Sequence, residues 1–471
     1  MQNQTSLQAA QTLWSTLGLP STALSQLTLT GSDPILPSSF AVGVAAQASI
    51  AVSTLVAAEI GRLRGICSGD GNKIQQVSVD MRHALAEFRS ERYLRINDAQ
   101  PEDPWDKIAG AYRCGDGRWV RLHTNFPHHR DGVLKILDCA HDKVSVERSL
   151  QRWRAEDVEN AAAEAGVVVA AMRSFAEWDQ HPQGIAVQSL PVLSIEKIAD
   201  APARPLSMLT LDRPLDGVRV LDLTRVIAGP VCGRTLAAHG ADVLQVSAPY
   251  LPSIAPLVMD NGRGKRSCFI DLKQISGQAT LNHLLKDADV FVQGYRPNGM
   301  DALGFSPEAV AAQRPGIVYV SLSAYGHVGP WAQRRGFDSL VQTASGFNHA
   351  EAHAAHSDEP KPLPAQVLDH AAGYLMAYGG MVALTRRITE GGSWHVRVSL
   401  AQTGHWLRQL GRVENGLHMV DQRFDQIGDL LEQCDSGFGR LTAVRHAAQL
   451  SATPARWTLP SVPLGTHPAH W

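Results

Sequence analysis

From Pro34 to Ala58 no position carries a charge, and Phe40–Ile60 is mostly Ala, Val and Ile. This apolar run passes through Gly61-Arg62-Leu63-Arg64 into a turn rich in glycine between Gly65 and Gly71, and then into the alternating segment Gln75-Gln76-Val77-Ser78-Val79-Asp80-Met81. The same succession returns late in the chain. An apolar run from Ala371 is followed by Arg386-Arg387, a turn at Gly391-Gly392, and the alternating Val396-Arg397-Val398-Ser399-Leu400. Helix, arginines, glycine turn and strand thus occur twice, which reads as two partial copies of one module. A helix apolar on every side belongs in a core or a membrane. The first run has the roughly 20 residues that a span needs. Its Gln47, Ser49, Ser53 and Thr54 and its Ala-rich make-up predict a buried core helix.

Between the copies the pattern changes twice. Gly117–His123 alternates as a strand does, residues 146–165 have helical periodicity, and Gly166 suits a helix end before the β-branched run Val167–Val169. Pro191, Pro202, Pro205 and Pro214 then mark a linker. From Leu215 strands alternate with helices: Gly217–Leu223, a helix opened by Gly229-Pro230 through Cys232–His239, then Ala241–Val246, Asp289–Val292 and Ile317–Ser321. That alternation predicts a parallel, doubly wound sheet with ligands at the carboxyl ends of its strands. The fold class expected is α/β, a Rossmann-like large domain plus a smaller α+β domain. The divisions expected are a partial large-domain segment over 1–100, a small domain over 101–200 and the large domain over 201–471.

Composition narrows the function. The 471 residues are 44% hydrophobic and 19% charged, with 43 basic and 45 acidic residues for a net charge of −2. A globular chain so balanced gives no footing for nucleic acid or an acidic membrane. Six scattered cysteines without a CxxC pair argue against a zinc ribbon or a disulfide scaffold and fit a reducing cytoplasm. The N-terminus lacks the basic and apolar regions of a secretory signal.

Several chemical motifs fail on inspection. The turn Leu223–Pro230 has no GxGxxG, and the second strand ends in Ser247-Ala248 without a ribose-binding acid, so a dinucleotide is not expected. Gly262–Ser267 is not a Walker A loop, though its Lys265-Arg266 pair suits a phosphate as well as it suits solvent. His349-Ala350-Glu351-Ala352-His353 has the glutamate out of register for HExxH, and no metal site is expected there or at His128-His129. One carboxylate stands out. Asp369 heads the second apolar run with no further acid until Glu390. It suits a helix N-cap and a cleft nucleophile equally well.

Taken in order, many short fragments resemble the class III CoA-transferase family, which includes formyl-CoA and carnitine CoA-transferases and the α-methylacyl-CoA racemases. They include Pro214–Thr224 with Ala228-Gly229-Pro230, Gly240–Val243, Gly264–Ser267 with Asp271-Leu272-Lys273, Ala288-Asp289-Val290, Tyr295-Arg296-Pro297, Ser321–Gly326 and Ala344-Ser345-Gly346. Cys114–Trp119 resembles the family's small domain, placed here ahead of the large one, so the order of parts is rearranged. The resemblance implies CoA transfer from an acyl-CoA to a small carboxylic acid, with Asp369 as nucleophile through an aspartyl anhydride and an aspartyl-CoA thioester. It places CoA contacts at Val226, Ile227, Ala228, Lys265, Arg266, Gly294, Tyr295, Arg296, Ser323 and Tyr325. CoA is then substrate, no permanently bound cofactor or metal is called for, and a homodimer is expected. The first copy, without an Asp in residues 34–69, should be catalytically silent. Two departures bear on this. Ser247-Ala248-Pro249 replaces the usual acidic and basic positions, and Gly336-Phe337-Asp338 lacks the racemase histidine. Racemisation therefore needs His370 as a substitute base. A non-catalytic CoA-binding protein is the other alternative.

Overall fold

The computed structural model describes residues 5–66, 75–103, 105–206, 212–296 and 298–471. Cys67, the rest of the glycine turn to Gly71, Pro104 and Pro297 lie outside them.

A seven-stranded sheet is built from β1 (Leu193–Ala199), β2 (Arg219–Leu223), β3 (Asp242–Ser247), β4 (Lys265–Phe269), β5 (Val290–Gln293), β6 (Val318–Ser323) and β7 (Ser393–Ser399), with β-branched Val-rich runs in its central strands β5 and β6. Its order is β4-β3-β2-β5-β6-β7-β1. All neighbours are parallel except the β7–β1 pair. Counted from β2, the parallel strands follow the 3-2-1-4-5-6 order of a doubly wound sheet, whose switch point lies between β2 and β5. The chain is therefore α/β, as its alternating pattern predicts.

Three helices set the centre: α1 (Val42–Leu63), α2 (Ala228–Ala238) and α3 (Val367–Glu390). The two apolar runs are α1 and α3, and they pack on each other. The other side of α1 is covered by the helices Ser6–Thr16 and Met81–Glu87, while α3 also meets α2, β6 and β7. With protein on every side, α1 can be apolar on every side, and its most apolar window is 94% buried. It is nevertheless the one described helix long and apolar enough to cross a membrane.

At the α2–α3 crossing the backbones nearly touch. A Cβ on Gly373 would sit 2.5 Å from the Ala228 carbonyl oxygen and 2.7 Å from Val231 Cβ. Neither atom is the end of a flexible side chain, so the helices must part to admit a methyl group. Gly373→Ala is expected to lower stability by about 1–3 kcal/mol, read as a fall in the urea midpoint without a change in slope.

A second sheet, Gly110–Arg113, Trp119–Leu122 and Val169–Ala171, carries its own core of Val120, Leu122, Val133, Leu150 and Val158. The helix expected over 146–165 is two, Lys143–Leu150 and Ala155–Glu164. The break leaves the Leu150 and Trp153 carbonyls free to accept the Gly115 N–H at 3.1 and 3.0 Å.

Packing does not divide the chain at residues 100 and 200. β1, from the expected small domain, closes the large sheet. Leu431–Ser436, Gly439–Val444 and Arg95–Ile96 form one three-stranded sheet, and Ala448–Leu450 pairs with Val77–Asp80. The first hundred residues are thus completed by the C-terminal segment and share one hydrophobic core with α2 and α3. The physical reason is that α1 cannot bury its whole circumference within its own segment.

Candidate active site

The switch point shapes the site. After β2 the chain turns at Val226, which sits at φ 73°. A β-branched residue there is strained. Asn261 Nδ2 holds the turn by donating to the Val226 carbonyl at 3.3 Å. Val226 and Ile227 form one wall of a cavity of about 490 Å³ that also takes in Asp338, Asp369, Glu91 and Arg121. The small domain, the large sheet and the N-terminal segment all meet here.

Asp369 is in the first turn of α3, not at its cap, which is Gln366. The capping duty falls to Asp338, whose Oδ2 accepts the Asp369 N–H at 2.9 Å. The Asp369 carboxyl is left without a hydrogen-bond donor or cation among the described residues, although it is 8% exposed and lines the cavity. Burial first, then the charges of Asp338 and Glu91, raise it well above the ordinary carboxylate range. Asp338 is pushed up to about 6 by burial, against the pull of the Asp369 and Leu368 N–H groups and the Gln342 amide. Since those donors favour a charged Asp338, a proton held between the two carboxyls belongs on Asp369.

A third acid closes the group. Glu91 Oε2 is 3.2 Å from His370 Nε2. Burial works against its charge, but the His370 contact and the neighbouring Arg92 outweigh it and hold Glu91 below its usual range. His370 itself has its side chain 1% exposed, stacks on Phe88 at 5.3 Å, and does not line the cavity.

The two apolar helices share one start geometry. Ala41 caps α1 at φ −76° and ψ 60°, and Gln366 caps α3 at φ −77° and ψ 63°. Neither uses its own side chain. Asp33 accepts the N–H groups of Gly43 and Val44 at 3.2 and 3.1 Å, as Asp338 accepts that of Asp369. Three residues beyond the cap, Val44 stands where α3 has Asp369. The duplicated module therefore has an apolar side chain at the position of the candidate nucleophile.

Not all residues expected to contact CoA reach the cavity. Val226 and Ile227 do, and Ala228 opens α2 beside them, buried against Gly373. Lys265 does not. Its side chain is 1% exposed, and Nζ donates to Asp222 Oδ2 and to the Pro230 carbonyl, both at 2.8 Å. Arg266 points to the opposite face of β4, as strand alternation requires. It clasps Asp242 through Nε and Nη2 at 2.7–3.0 Å and donates to the His470 carbonyl at 2.7 Å. Both cations are neutralised within the fold. Gly294, Tyr295 and Arg296 follow β5 at the carboxyl edge, with Gly294 and Arg296 exposed, outside the cavity wall. Ser323 ends β6 half-buried, while Tyr325 is buried edge-on to Trp331 at 5.0 Å. Of the decoys, Glu351 binds the Ser39 N–H at 3.0 Å and the Ser38 hydroxyl at 2.5 Å, tying two segments together.

Sequence reasoning singled out Arg296 but not the two arginines grouped with it near the carboxyl edge of the sheet, Arg225 and Arg335. Arg225 lies over the Phe126 ring at 5.0 Å. Burial, His128 and the charges of Arg335 and Arg225 press His129 down to about 3, and burial and Arg296 together lower Arg335. Arg225, Arg296 and Arg335 thus share one field at the carboxyl edge of the sheet, beside a smaller cavity of about 30 Å³ that Ser247 also lines.

Residues 215–420 match the profile of CoA-transferase family III. An acetyl-coenzyme A transferase of Hypoxylon pulicicidum is 34% identical over 384 residues, 72% of this chain and 64% of that protein. Human succinyl-CoA:glutarate CoA-transferase is 33% identical over 192 residues, 38% of this chain and 43% of the human one. A crystal structure of a hypothetical protein from Mycobacterium tuberculosis is 32% identical with a TM-score of 0.39, covering 42% of this chain and 57% of that one. The chain spans less than two thirds of the length of each of these three. Residues 215–420 belong to CoA-transferase family III.

Proposed function

We propose that the protein moves CoA from an acyl-CoA donor to a small carboxylic acid, with Asp369 as the nucleophile. The observation that carries this reading is the Asp369 carboxyl, buried and unpaired at the start of α3, in a cavity at the sheet's switch point. In the first step a carboxylate oxygen of Asp369 attacks the thioester carbonyl, the C–S bond breaks, and CoA leaves as thiolate. The thiolate then attacks the aspartyl carbonyl of the mixed anhydride, releasing the donor acid and leaving an aspartyl-CoA thioester. The acceptor carboxylate repeats the sequence in reverse, so each hard transfer is split into easier steps. Asp338 orients the nucleophile through its N–H, and its negative charge makes the ionised Asp369 a stronger base than an exposed carboxylate. The names of the relatives, which include acetyl-CoA and succinyl-CoA:glutarate transferases, support the same chemistry.

Arg225, Arg296 and Arg335 are suited to the anionic end of CoA, replacing Lys265 and Arg266 in that role. A reducing cytoplasmic setting accords with the five free cysteines among the described residues. The homodimer follows from the family resemblance alone. Racemisation is disfavoured because His370, the base it needs, faces Glu91 and not the cavity.

The test is trapping. Incubation with a set of acyl-CoA donors followed by hydroxylamine is expected to leave a hydroxamate at Asp369, located by mass spectrometry of the peptide. Absence of the label with every donor rejects the reading.

A further inference from the structure

The wall that the small domain gives the cavity carries Arg121 and His123. Arg121 lies in the strand Trp119–Leu122, and His123 follows two positions on. Residues two apart on a strand share a face. Val120 and Leu122 turn into the small-domain core, so Arg121 and His123 turn the other way, and both line the cavity that contains Asp369. Trp105 braces them, with Arg121 over its ring at 5.6 Å and His123 edge-on at 5.6 Å.

Each side chain has a buried nitrogen without a partner, Nε of Arg121 and Nε2 of His123. Arg121 makes no hydrogen bond or ion pair with any described residue, and its Nε is buried without an acceptor. Asp338 lies near enough to act on it, but the Asp369 and Leu368 N–H groups and Gln342 already occupy that carboxylate. Glu91, Glu102 and Asp103 are also in the cavity wall, and none stands within ion-pair distance of Arg121. His123 stacks on Phe337 at 4.1 Å and meets the Ser339 hydroxyl through Nδ1 at 3.3 Å. Its Nε2 is buried without a partner. Burial, Arg121 and His129 press His123 down to about 3, so it is a neutral ring. When the Ser339 hydroxyl donates to Nδ1, the proton is on Nε2 and available to an acceptor. A half-buried guanidinium whose Nε is shut away from water without an acceptor is costly. Its chemistry, planar and bidentate, matches a carboxylate.

We propose that Arg121 and His123 bind a second carboxylate on the acyl group, so that the acids this protein exchanges on CoA are dicarboxylic. This rests on the reading of Asp369 as the nucleophile: one carboxyl of the substrate reacts at Asp369 while the distal one is held at Arg121. The donor and the acceptor acyl groups occupy the same space in turn, so the preference applies to both.

The experiment compares matched pairs on the full chain. Donors are succinyl-CoA against butyryl-CoA and glutaryl-CoA against pentanoyl-CoA, scored by acylation of Asp369 in a single turnover. Acceptors are succinate and glutarate against butyrate and pentanoate, scored by the new thioester. The dicarboxylic member of each pair is expected to react faster. Arg121→Gln should cost it about 100-fold in kcat/KM, the size of a lost charge-assisted pair. Arg121→Lys should recover part of that loss, and the monocarboxylic member should lose far less than the dicarboxylic one. Arg121→Gln should unfold at the same or a higher temperature than the wild type, since it removes a half-buried charge that has no ion-pair partner among the described residues. An equal loss for both members would place Arg121 at the reacting carboxyl and overturn the proposal, as would the absence of any dicarboxylate preference. If no donor acylates Asp369, the transfer reading fails separately. Calorimetry then decides the subsite: glutarate that binds no tighter than pentanoate, or binds Arg121→Gln as tightly as wild type, overturns it.

Discussion

Asp369→Asn is expected to lower CoA transfer by at least about 10⁴-fold, the scale on which removal of a covalent nucleophile acts, while raising the melting temperature. Both effects come from the same placement. The amide keeps the volume of the carboxyl and leaves the backbone N–H on Asp338 Oδ2 untouched, so the start of α3 survives. It cannot form an anhydride. The stability gain follows from the raised carboxyl. In acid, folded and unfolded chains both hold the Asp369 proton and the group contributes nothing. As pH rises past the ordinary carboxylate range, the unfolded chain ionises freely while the folded one must retain the proton or bury a second charge beside Asp338. Wild-type stability is therefore lost with rising pH, and Asp369→Asn escapes that loss. Thermal unfolding of both proteins at pH 5 and pH 8 should show the gap widen at the higher pH. A variant that keeps a tenth of wild-type transfer, or a gap that narrows with pH, contradicts this account. The acylation rate of the wild type should rise with pH over the range in which the Asp338–Asp369 pair gives up its shared proton.

The parts of the site legible in the sequence are those carried by local pattern. Strands alternating with helices from Leu215 gave away the doubly wound sheet, and the apolar run after Asp369 made a lone acid conspicuous. The repeat of that run as α1 was also visible. Its register was not, because Val44 and Asp369 share a backbone position and no chemical likeness. Glu91 and Arg121 belong to segments far from Asp369 along the chain, and nothing in the neighbours of Glu91 marks it. The alternation in Gly117–His123 did hold the needed hint: once Val120 and Leu122 are assigned to a core, Arg121 and His123 must face elsewhere. Arg95–Ile96 pairs with Gly439–Val444 by a contact no local pattern encodes. The reading of Lys265 as a phosphate ligand failed for a related reason. A Lys-Arg pair after a glycine looks like a solvated loop until strand pairing turns one side chain inward.

That inward turn leads to the second large effect. Lys265→Met should destabilise the fold by about 3–5 kcal/mol, as breaking a buried pair from one side does, and should leave the KM for CoA unchanged in the folded protein. Lys265 and Asp222 are 1% and 0% exposed, under Gly233 of α2. A Cβ on Gly233 would fall 2.3 Å from Asp222 Oδ2 and 2.9 Å from Lys265 Nζ, so the helix lies directly on the ion pair and water has no room to enter. Without the ammonium, Asp222 keeps the Thr224 hydroxyl but loses its only cation among the described residues. Its charge is then stranded in the core at the root of the turn that shapes the cavity. Replacing both partners removes the stranded charge, so Asp222→Asn in the Lys265→Met background should recover part of the loss, and urea midpoints of the four proteins in the cycle measure it. A lysine that held a CoA phosphate would give the opposite signature: near-native stability, a raised KM for CoA, and no rescue by a change at Asp222.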